Sequence, residues 1–160
     1  MHFETVFDLA EVGYKSWWFP AFGLILLPLA AAFIFFPSFS RLFNNWWLSS
    51  RWRRILNWFG LIFVVGWTIA TFFVTFSQYI TARDALKSAR FDVVEGPVTS
   101  FKTTPKSETF TVSYKTFSYS DFMIAPGFNN IRSQGGPIRT GIYVRVTYTD
   151  NTILRLEIAR

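Results

Sequence analysis

Few side chains in this chain of 160 residues are suited to acid–base or metal chemistry. His2 is the only histidine and cysteine is absent. A Ser-His-Asp or Cys-His arrangement in the C-terminal half is therefore excluded, and so is a His-rich zinc site. The acids of that half form no close pair in sequence, although two of them could meet in the fold: Asp84, Asp92, Glu95, Glu108, Asp121, Asp150 and Glu157. We predict a protein that is not an enzyme and carries no metal or cofactor.

The irregular segment APGFNNIRSQGGPI, residues 125–138, is the other candidate for chemistry. It lacks the phosphate-binding GxxxxGK[ST] pattern, and no GxGxxG follows a strand. An aromatic and amide cluster there would suit a glycan or a peptide. Alternatively, Phe128 plugs a barrel, the asparagines satisfy turn backbone, and Gly135 and Gly136 take positive φ. The candidate interaction residues are Tyr119, Asp121, Phe128, Asn129, Asn130, Arg132 and Gln134.

Two long apolar segments determine where the candidate residues lie relative to a membrane. The chain is 51% hydrophobic, with 20 Phe and 7 Trp, and residues 17–36 and 55–80 contain no charge. Each is long enough to cross the roughly 30 Å hydrocarbon core, so we predict transmembrane helices at 17–37 and 55–80. Pro28 should kink the first helix. A cleaved signal peptide is a weaker interpretation, because the segment before it is acidic and the apolar run continues past the alanines at 30–32.

Orientation follows from the basic residues. The loop at 38–54 contains Arg41, Arg51, Arg53 and Arg54 and no acid, whereas the N-terminal tail, residues 1–16, is acidic. Short cytoplasmic loops collect Lys and Arg, so we expect a bacterial inner-membrane protein with this loop in the cytoplasm and both termini in the periplasm. The basic residues of segment 83–90 oppose this orientation. Predicted interface anchors are Trp17, Trp18, Trp46, Trp47, Trp52 and Trp58.

One face of the second span carries small and polar residues. They are Gly66, Thr68, Ala70, Thr71, Thr75 and Gln78. Such a face either packs against another helix or lines a narrow oligomeric pore. Packing is the favoured interpretation, because hydroxylated and small residues are common at helix interfaces in lipid. The spans contain no ionisable side chain, which argues against a pump or coupled transporter.

The remainder of the chain predicts a small β domain. The second helix continues as a stalk at 81–90, and alternating segments then predict five strands within 91–160, with a bulge or bend at Gly96 and Pro97. Five short strands can close into a Greek-key barrel, and the longest connection falls between the third and fourth. We therefore predict a membrane α-hairpin followed by an OB-like barrel, with an SH3-like barrel as the alternative.

The β domain also resembles a family of small, uncharacterised bacterial membrane proteins with two N-terminal transmembrane helices and an OB-like domain. The resemblance covers about residues 91–159. It rests on VEG at 94–96, FTV at 110–112, FSYSD at 117–121, GFNN at 127–130, GGPI at 135–138, YVRV at 143–146 and NTI at 151–153. It implies the fold and no activity. Members often have a shorter turn where this chain has residues 113–116, and a histidine where it has Gln134.

Two functions remain open. The first is an interaction protein that presents its barrel outside the cytoplasm, as a homo-oligomer or as an accessory subunit of a larger membrane complex. The second is a small oligomeric channel or membrane-perturbing effector, with the barrel as sensor or gate. Besides the bilayer we expect a protein partner. Nucleic acid is not expected, because the basic excess of the β domain is modest, and no small-molecule substrate is indicated.

Overall fold

The computed structural model describes residues 2–36 and 50–160, which belong to two compact units. The helical unit comprises the described part of Ser16–Val74, and the sheet unit comprises the chain up to Lys15 together with Thr75–Arg160. In chain order the elements are β1 (Phe3–Asp8), α1 (Leu9–Val12), a 3-10 turn (Lys15–Trp17), α2 (Trp18–Phe35), α3 (Ser50–Lys87), β2 (Asp92–Thr103), β3 (Glu108–Val112), β4 (Lys115–Tyr119), a second 3-10 turn (Arg132–Gln134), β5 (Tyr143–Thr149) and β6 (Thr152–Ala159).

Two helices are long and apolar enough to cross a membrane, by length and composition. α2 has 18 residues and α3 has 38, and a span needs about 20. Only 11% of the apolar window of each helix is buried, whereas a core helix of a soluble protein would be mostly covered. The predicted span at 55–80 falls within α3. The predicted span at 17–37 begins one residue before α2, and the helix ends at Phe35. Residue 37 lies outside the described residues. α3 continues through most of the predicted stalk and ends at Lys87.

In the helical unit, α2 and α3 pack antiparallel. The ring centroids of Phe19 and Trp67 are 5.4 Å apart. One turn further along α2, a Cβ added to Gly23 would come within 2.8 Å of the Thr68 Cβ, so the glycine permits close approach of the two helices. Near the end of α2 the Asn57 amide nitrogen donates to the Phe33 carbonyl at 2.9 Å. Residue 37 is a proline and has no amide hydrogen, so this carbonyl takes its donor from α3.

The sheet unit contains one six-stranded antiparallel sheet in the order β1-β6-β5-β2-β3-β4. β1 and β4 are its edges and do not pair with each other, so the sheet is open. The predicted closed five-stranded OB-like barrel is therefore wrong, and the SH3-like alternative fails for the same reason. All five predicted strands are present. The sheet has one strand more than predicted, because β1 pairs with the free edge of β6.

The long strand β2 changes partner at its middle. Asp92–Pro97 pair with β5, and from Val98 onward β2 pairs with β3, with a register shift between Val98 and Ser100. The pairing with β5 is regular at Gly96 and Pro97, so the irregularity lies just after the predicted position, and the sheet folds over where β2 changes partner. Phe117 on β4 contacts Tyr148 on β5, with ring centroids 5.0 Å apart, although two strands separate β4 from β5 in the sheet order. The core lies between the two halves of the folded sheet.

The sixth strand is β1, in the segment that the sequence analysis assigned to an acidic tail at 1–16. It pairs with the last strand, from Phe3 opposite Ala159 to Asp8 opposite Arg155. Its acids neutralise arginines of the C-terminal strand and terminus: Asp8 Oδ2 lies 2.6 Å from Arg155 Nη2, and Glu4 bonds Arg160. The segment is thus an integral edge of the β domain.

Truncation of Phe7 tests the contribution of β1 to the core. Phe7 is 8% exposed, whereas its neighbour Val6 is 41% exposed and lies at the register shift in the pairing of β1 with β6. We expect Phe7→Ala to lower the free energy of unfolding of the sheet unit by about 3 to 5 kcal/mol, and Val6→Ala by less than about 1 kcal/mol. Denaturant unfolding in mild detergent, followed by near-UV circular dichroism, measures the difference. Equal effects would mean that β1 does not pack on the core.

Candidate functional site

The crossover, residues 120–142, joins β4 to β5 and carries most of the candidate interaction residues. Phe128 is 3% exposed and lies between the two edge strands of the sheet. Its ring centroid is 5.7 Å from that of Phe7 on β1 and 5.3 Å from that of Tyr119 at the end of β4. Phe128 and Tyr119 therefore occupy core positions. The sheet is open, so Phe128 packs between its edge strands and does not plug a closed barrel. The crossover fills the gap that an open sheet leaves between its edges.

A buried carboxylate attaches the crossover to β3. Glu108 is 2% exposed and accepts the Tyr119 hydroxyl at 2.8 Å. The same carboxylate accepts the Arg132 backbone amide at 2.9 and 3.0 Å. Burial raises the pKa of Tyr119, and the hydrogen bond to Glu108 and its charge add to the effect. Because its oxygens are hydrogen-bonded, Glu108 can remain in the core.

A second carboxylate holds the crossover from the other side. Asp121 Oδ2 accepts the Gln134 side-chain amide at 2.8 Å. Asp121 Oδ1 is buried and has no hydrogen-bond partner in the part of the chain that the structure describes. Next to it, the Ser120 hydroxyl donates to the Lys106 carbonyl. The beginning of the crossover is thus tied to the β2–β3 connection and to the second 3-10 turn.

The asparagines and glycines of the crossover stabilise its backbone conformation. Asn129 donates to the Ala125 carbonyl at 3.1 Å, and Asn130 Oδ1 accepts Lys15 Nζ at 3.2 Å. Gly135 has the expected positive φ of 85°, whereas the expectation of a positive φ at Gly136 is wrong. Glycine is needed at 136 for space instead, because an added Cβ would lie 2.8 Å from the Ile131 carbonyl. The side chains of Arg132 and Gln134 are exposed, as is Asn130. The candidate residues therefore divide into a buried set that shapes the loop and an exposed polar set on its surface.

The structure adds two surface residues that the sequence analysis missed. Phe122 is 73% exposed and Met123 is 56% exposed, directly after β4. β4 ends at Tyr119, and the chain turns before it reaches these two residues. No periodicity within the segment DFMI marks these side chains as external. They form an exposed apolar pair on a loop that is hydrogen-bonded on both sides.

The candidate helix face divides between the units. In the helical unit Thr68 and Thr71 are half-buried, and each donates to a carbonyl one turn earlier on α3, at 2.7 and 2.8 Å. Gly66 and Ala70 are exposed. The hydroxyl pattern is the one that helix packing predicts.

The other two members of that face lie in the sheet unit. Thr75 is 5% exposed, and its hydroxyl lies 2.5 Å from the hydroxyl of Tyr14. Gln78 lines a groove of about 360 Å³, with residues from α3, the crossover and the β5–β6 turn. Its other lining residues are Ser77, Thr81, Ala82, Ala125, Pro126, Thr149, Asp150 and Thr152. Five of its nine lining residues carry a hydroxyl or amide group, and the others include alanine and proline.

The predicted tryptophan anchors are exposed where they are described. The exposed fractions are 62% for Trp17, 50% for Trp18, 61% for Trp52 and 47% for Trp58. Trp46 and Trp47 lie outside the described residues. Exposed indoles near the ends of apolar helices are typical of residues at the membrane–water interface.

The acids that meet in the fold do so around an arginine. Arg145 lies 2.7 Å from Glu95 and 3.8 Å from Glu157. These carboxylates are therefore engaged in a surface ion-pair network on β2, β5 and β6. Within residues 2–36 and 50–160, no group of three or more His, Cys, Asp or Glu side chains could hold a metal ion.

Comparisons with protein-family models, with curated proteins and with solved structures found no match to this chain.

The Glu108 and Tyr119 pair gives the sheet unit a pH dependence with a defined sign. The raised pKa of Tyr119 in the folded state contributes stability that is present below the ordinary tyrosine pKa of about 10 and is lost as the pH rises above it. We expect the free energy of unfolding to fall above pH 10. The Tyr119→Phe variant should show a slope smaller by at most about 1.4 kcal/mol per pH unit. Denaturant titrations between about pH 8 and 11.5 measure both slopes, and equal slopes would contradict this assignment.

Proposed function

We propose that this chain is a non-enzymatic integral membrane protein that presents its β domain outside the cytoplasm for protein–protein interaction. It acts as a homo-oligomer or as an accessory subunit of a larger membrane complex. The proposed location is the bacterial inner membrane, with both termini in the periplasm and the 38–54 loop in the cytoplasm. Membership of the family that residues 91–159 resemble is part of this proposal.

The pairing of β1 with β6 supports the topology. The chain leaves the sheet unit at Lys15, passes through the helical unit, and re-enters the sheet unit at Thr75. Because β1 and β6 belong to one sheet, both ends of the helical unit lie on the same side of any membrane that the helices cross. The arginines at 51, 53 and 54, at the opposite end of the hairpin, favour the cytoplasm for the loop. The two arguments together support termini in the periplasm.

The hydrogen bonds and ion pairs of the acidic side chains support a binding role and not a catalytic one. Glu108 is buried and hydrogen-bonded to Tyr119, and Glu95 is paired with Arg145. The carbonyl of His2 accepts the Arg160 amide at 3.0 Å, beside the last strand and remote in sequence from the crossover. These groups stabilise the sheet, and they are not arranged around a common cavity among the described residues.

The exposed pair of Phe122 and Met123 is the observation that carries the proposal. Large apolar side chains on a soluble surface commonly mark interaction sites, and aromatic residues dominate binding energy at protein interfaces. The neighbouring Ser120 and Asp121 are both hydrogen-bonded, so the pair is displayed on an anchored loop. A fixed loop loses little conformational entropy when a partner binds. Met123 adds an adaptable apolar contact.

The channel alternative has less support. A pore requires polar groups of α3 that face a lumen, whereas the hydroxyls of Thr68 and Thr71 bond carbonyls of their own helix. The contact between Gly23 and Thr68 places part of this face against α2. The arrangement favours helix packing as the role of the threonines.

Replacement of the exposed pair tests the interaction proposal. A photo-crosslinking residue at position 124 should label either a second copy of the chain or one other membrane protein in native membranes. We expect Phe122→Ser/Met123→Ser to reduce that labelling at least tenfold, the change expected for the loss of an interface hot spot. Tyr114→Ser is the matched control, because Tyr114 is 82% exposed on the β3–β4 turn, and it should leave labelling unchanged. Labelling that survives the double substitution would overturn the proposed surface.

A further inference from the structure

The helical unit contains an apolar groove between its two helices. The groove has a volume of about 300 Å³ and is lined mainly by Leu26, Leu29, Ala30, Leu56, Gly60 and Val64. This size is at the lower end of the range for ligand pockets in proteins. On one side α2 and α3 converge at Gly23 and Thr68, and on the other they are joined by Asn57 and Phe33. The helices separate between these two contacts.

A basic pocket adjoins the apolar groove. This second pocket has a volume of about 230 Å³ and is lined by Ser50, Arg53, Arg54 and Trp58. Phe33 and Asn57 line both cavities, so the two are contiguous. Together they form one site that is cationic at one end and hydrocarbon-lined at the other.

The site carries a net positive charge. The sequence contains no Asp or Glu between Glu11 and Asp84, and so none in this unit. Guanidinium groups bind phosphate with paired, charge-assisted hydrogen bonds, and a tryptophan beside them is typical of the headgroup level of a bilayer. The chemistry at this end of the site therefore suits a phosphate group.

The depth of the site matches one leaflet. Val64 lies ten residues after Arg54 on the same helix, which is about 15 Å at 1.5 Å per residue. The hydrocarbon core of a bilayer is about 30 Å thick. An occupant with its phosphate at Arg54 and a hydrocarbon chain along the groove would reach the bilayer midplane.

We propose that this site binds one anionic glycerophospholipid. Arg53 and Arg54 contact its phosphate, Ser50 and Asn57 offer further hydrogen bonds, and one acyl chain lies between α2 and α3. A lipid is favoured over free phosphate because the basic pocket adjoins a hydrocarbon-lined groove. The proposal goes beyond the interaction function and does not depend on it, since the site lies wholly in the helical unit.

The test uses the full chain in an uncharged detergent and measures bound lipid by native mass spectrometry. We expect phosphatidylglycerol to bind at one copy per chain, at least about tenfold more tightly than phosphatidylcholine of the same acyl length. Soluble glycerol phosphate should not compete at millimolar concentration. Equal binding of the two lipids would overturn the charge assignment, and competition by glycerol phosphate would identify a free-phosphate site instead.

Matched variants test each end of the site. Arg54→Gln should weaken phosphatidylglycerol binding about tenfold, the loss expected for one charge-assisted hydrogen bond. Arg51→Gln, an exposed neighbour that does not line the pocket, should change it less than about twofold. Equal effects of the two substitutions would show that binding reflects only general charge.

Substitutions of two glycines, one inside the apolar groove and one outside it, test the apolar end of the site. An added Cβ meets no atom within 4 Å at Gly60 or at Gly66, so both positions accept a side chain. Only Gly60 lines the groove. Gly60→Leu should fill it and reduce lipid binding at least about tenfold, whereas Gly66→Leu should leave binding unchanged. Retained binding in Gly60→Leu would show that the acyl chain lies elsewhere.

Discussion

The antiparallel pairing of β1 with β6 is the constraint on which the rest of the structure depends. It joins the segment before α2 to the last strand, so the two long apolar helices lie in the part of the chain between two strands that pair with each other. Glu4 and Asp8 then meet Arg160 and Arg155, and Phe7 enters the core beside Phe128. Without this strand the edge of β6 would be unpaired, and an unpaired strand edge is prone to association with other chains.

The crossover between β4 and β5 completes the domain that this pairing begins. An open sheet that folds over leaves a gap between its edges, and Phe128 fills that gap from a loop held by Glu108 and Ile153. The irregular composition of the loop therefore reflects packing first. The same anchoring holds Phe122 and Met123 at the surface, so the core role of the loop and its proposed binding role are different properties of the same segment.

The parts of the fold that depend on local patterns could be predicted from the sequence. Length and lack of charge indicate the two helices, and alternation indicates β2 to β6, including the bend near Gly96. The N-terminal strand could not be recognised in this way, because FETVFD is short and its acids find their arginines about 150 residues away. Whether the sheet closes into a barrel also depends on pairing between strands that are far apart in the sequence. The alternation of Phe110, Val112 and Tyr114 also fails at its last member, because Tyr114 lies in the turn and is exposed.

A disulfide between the two terminal strands tests the central claim most directly. Thr5 and Glu157 are direct partners, and opposite residues of antiparallel strands have Cα separations that a disulfide can bridge. The chain has no cysteine, so Thr5→Cys/Glu157→Cys introduces a single possible bond. In growing bacteria the bond should form without added oxidant, because the proposed location of the β domain is the periplasm, which is oxidising, whereas the cytoplasm is not. A control pair on unpaired strands, Thr5→Cys/Lys102→Cys, should remain reduced. Reduced thiols at positions 5 and 157 in a folded, membrane-inserted protein would contradict the account.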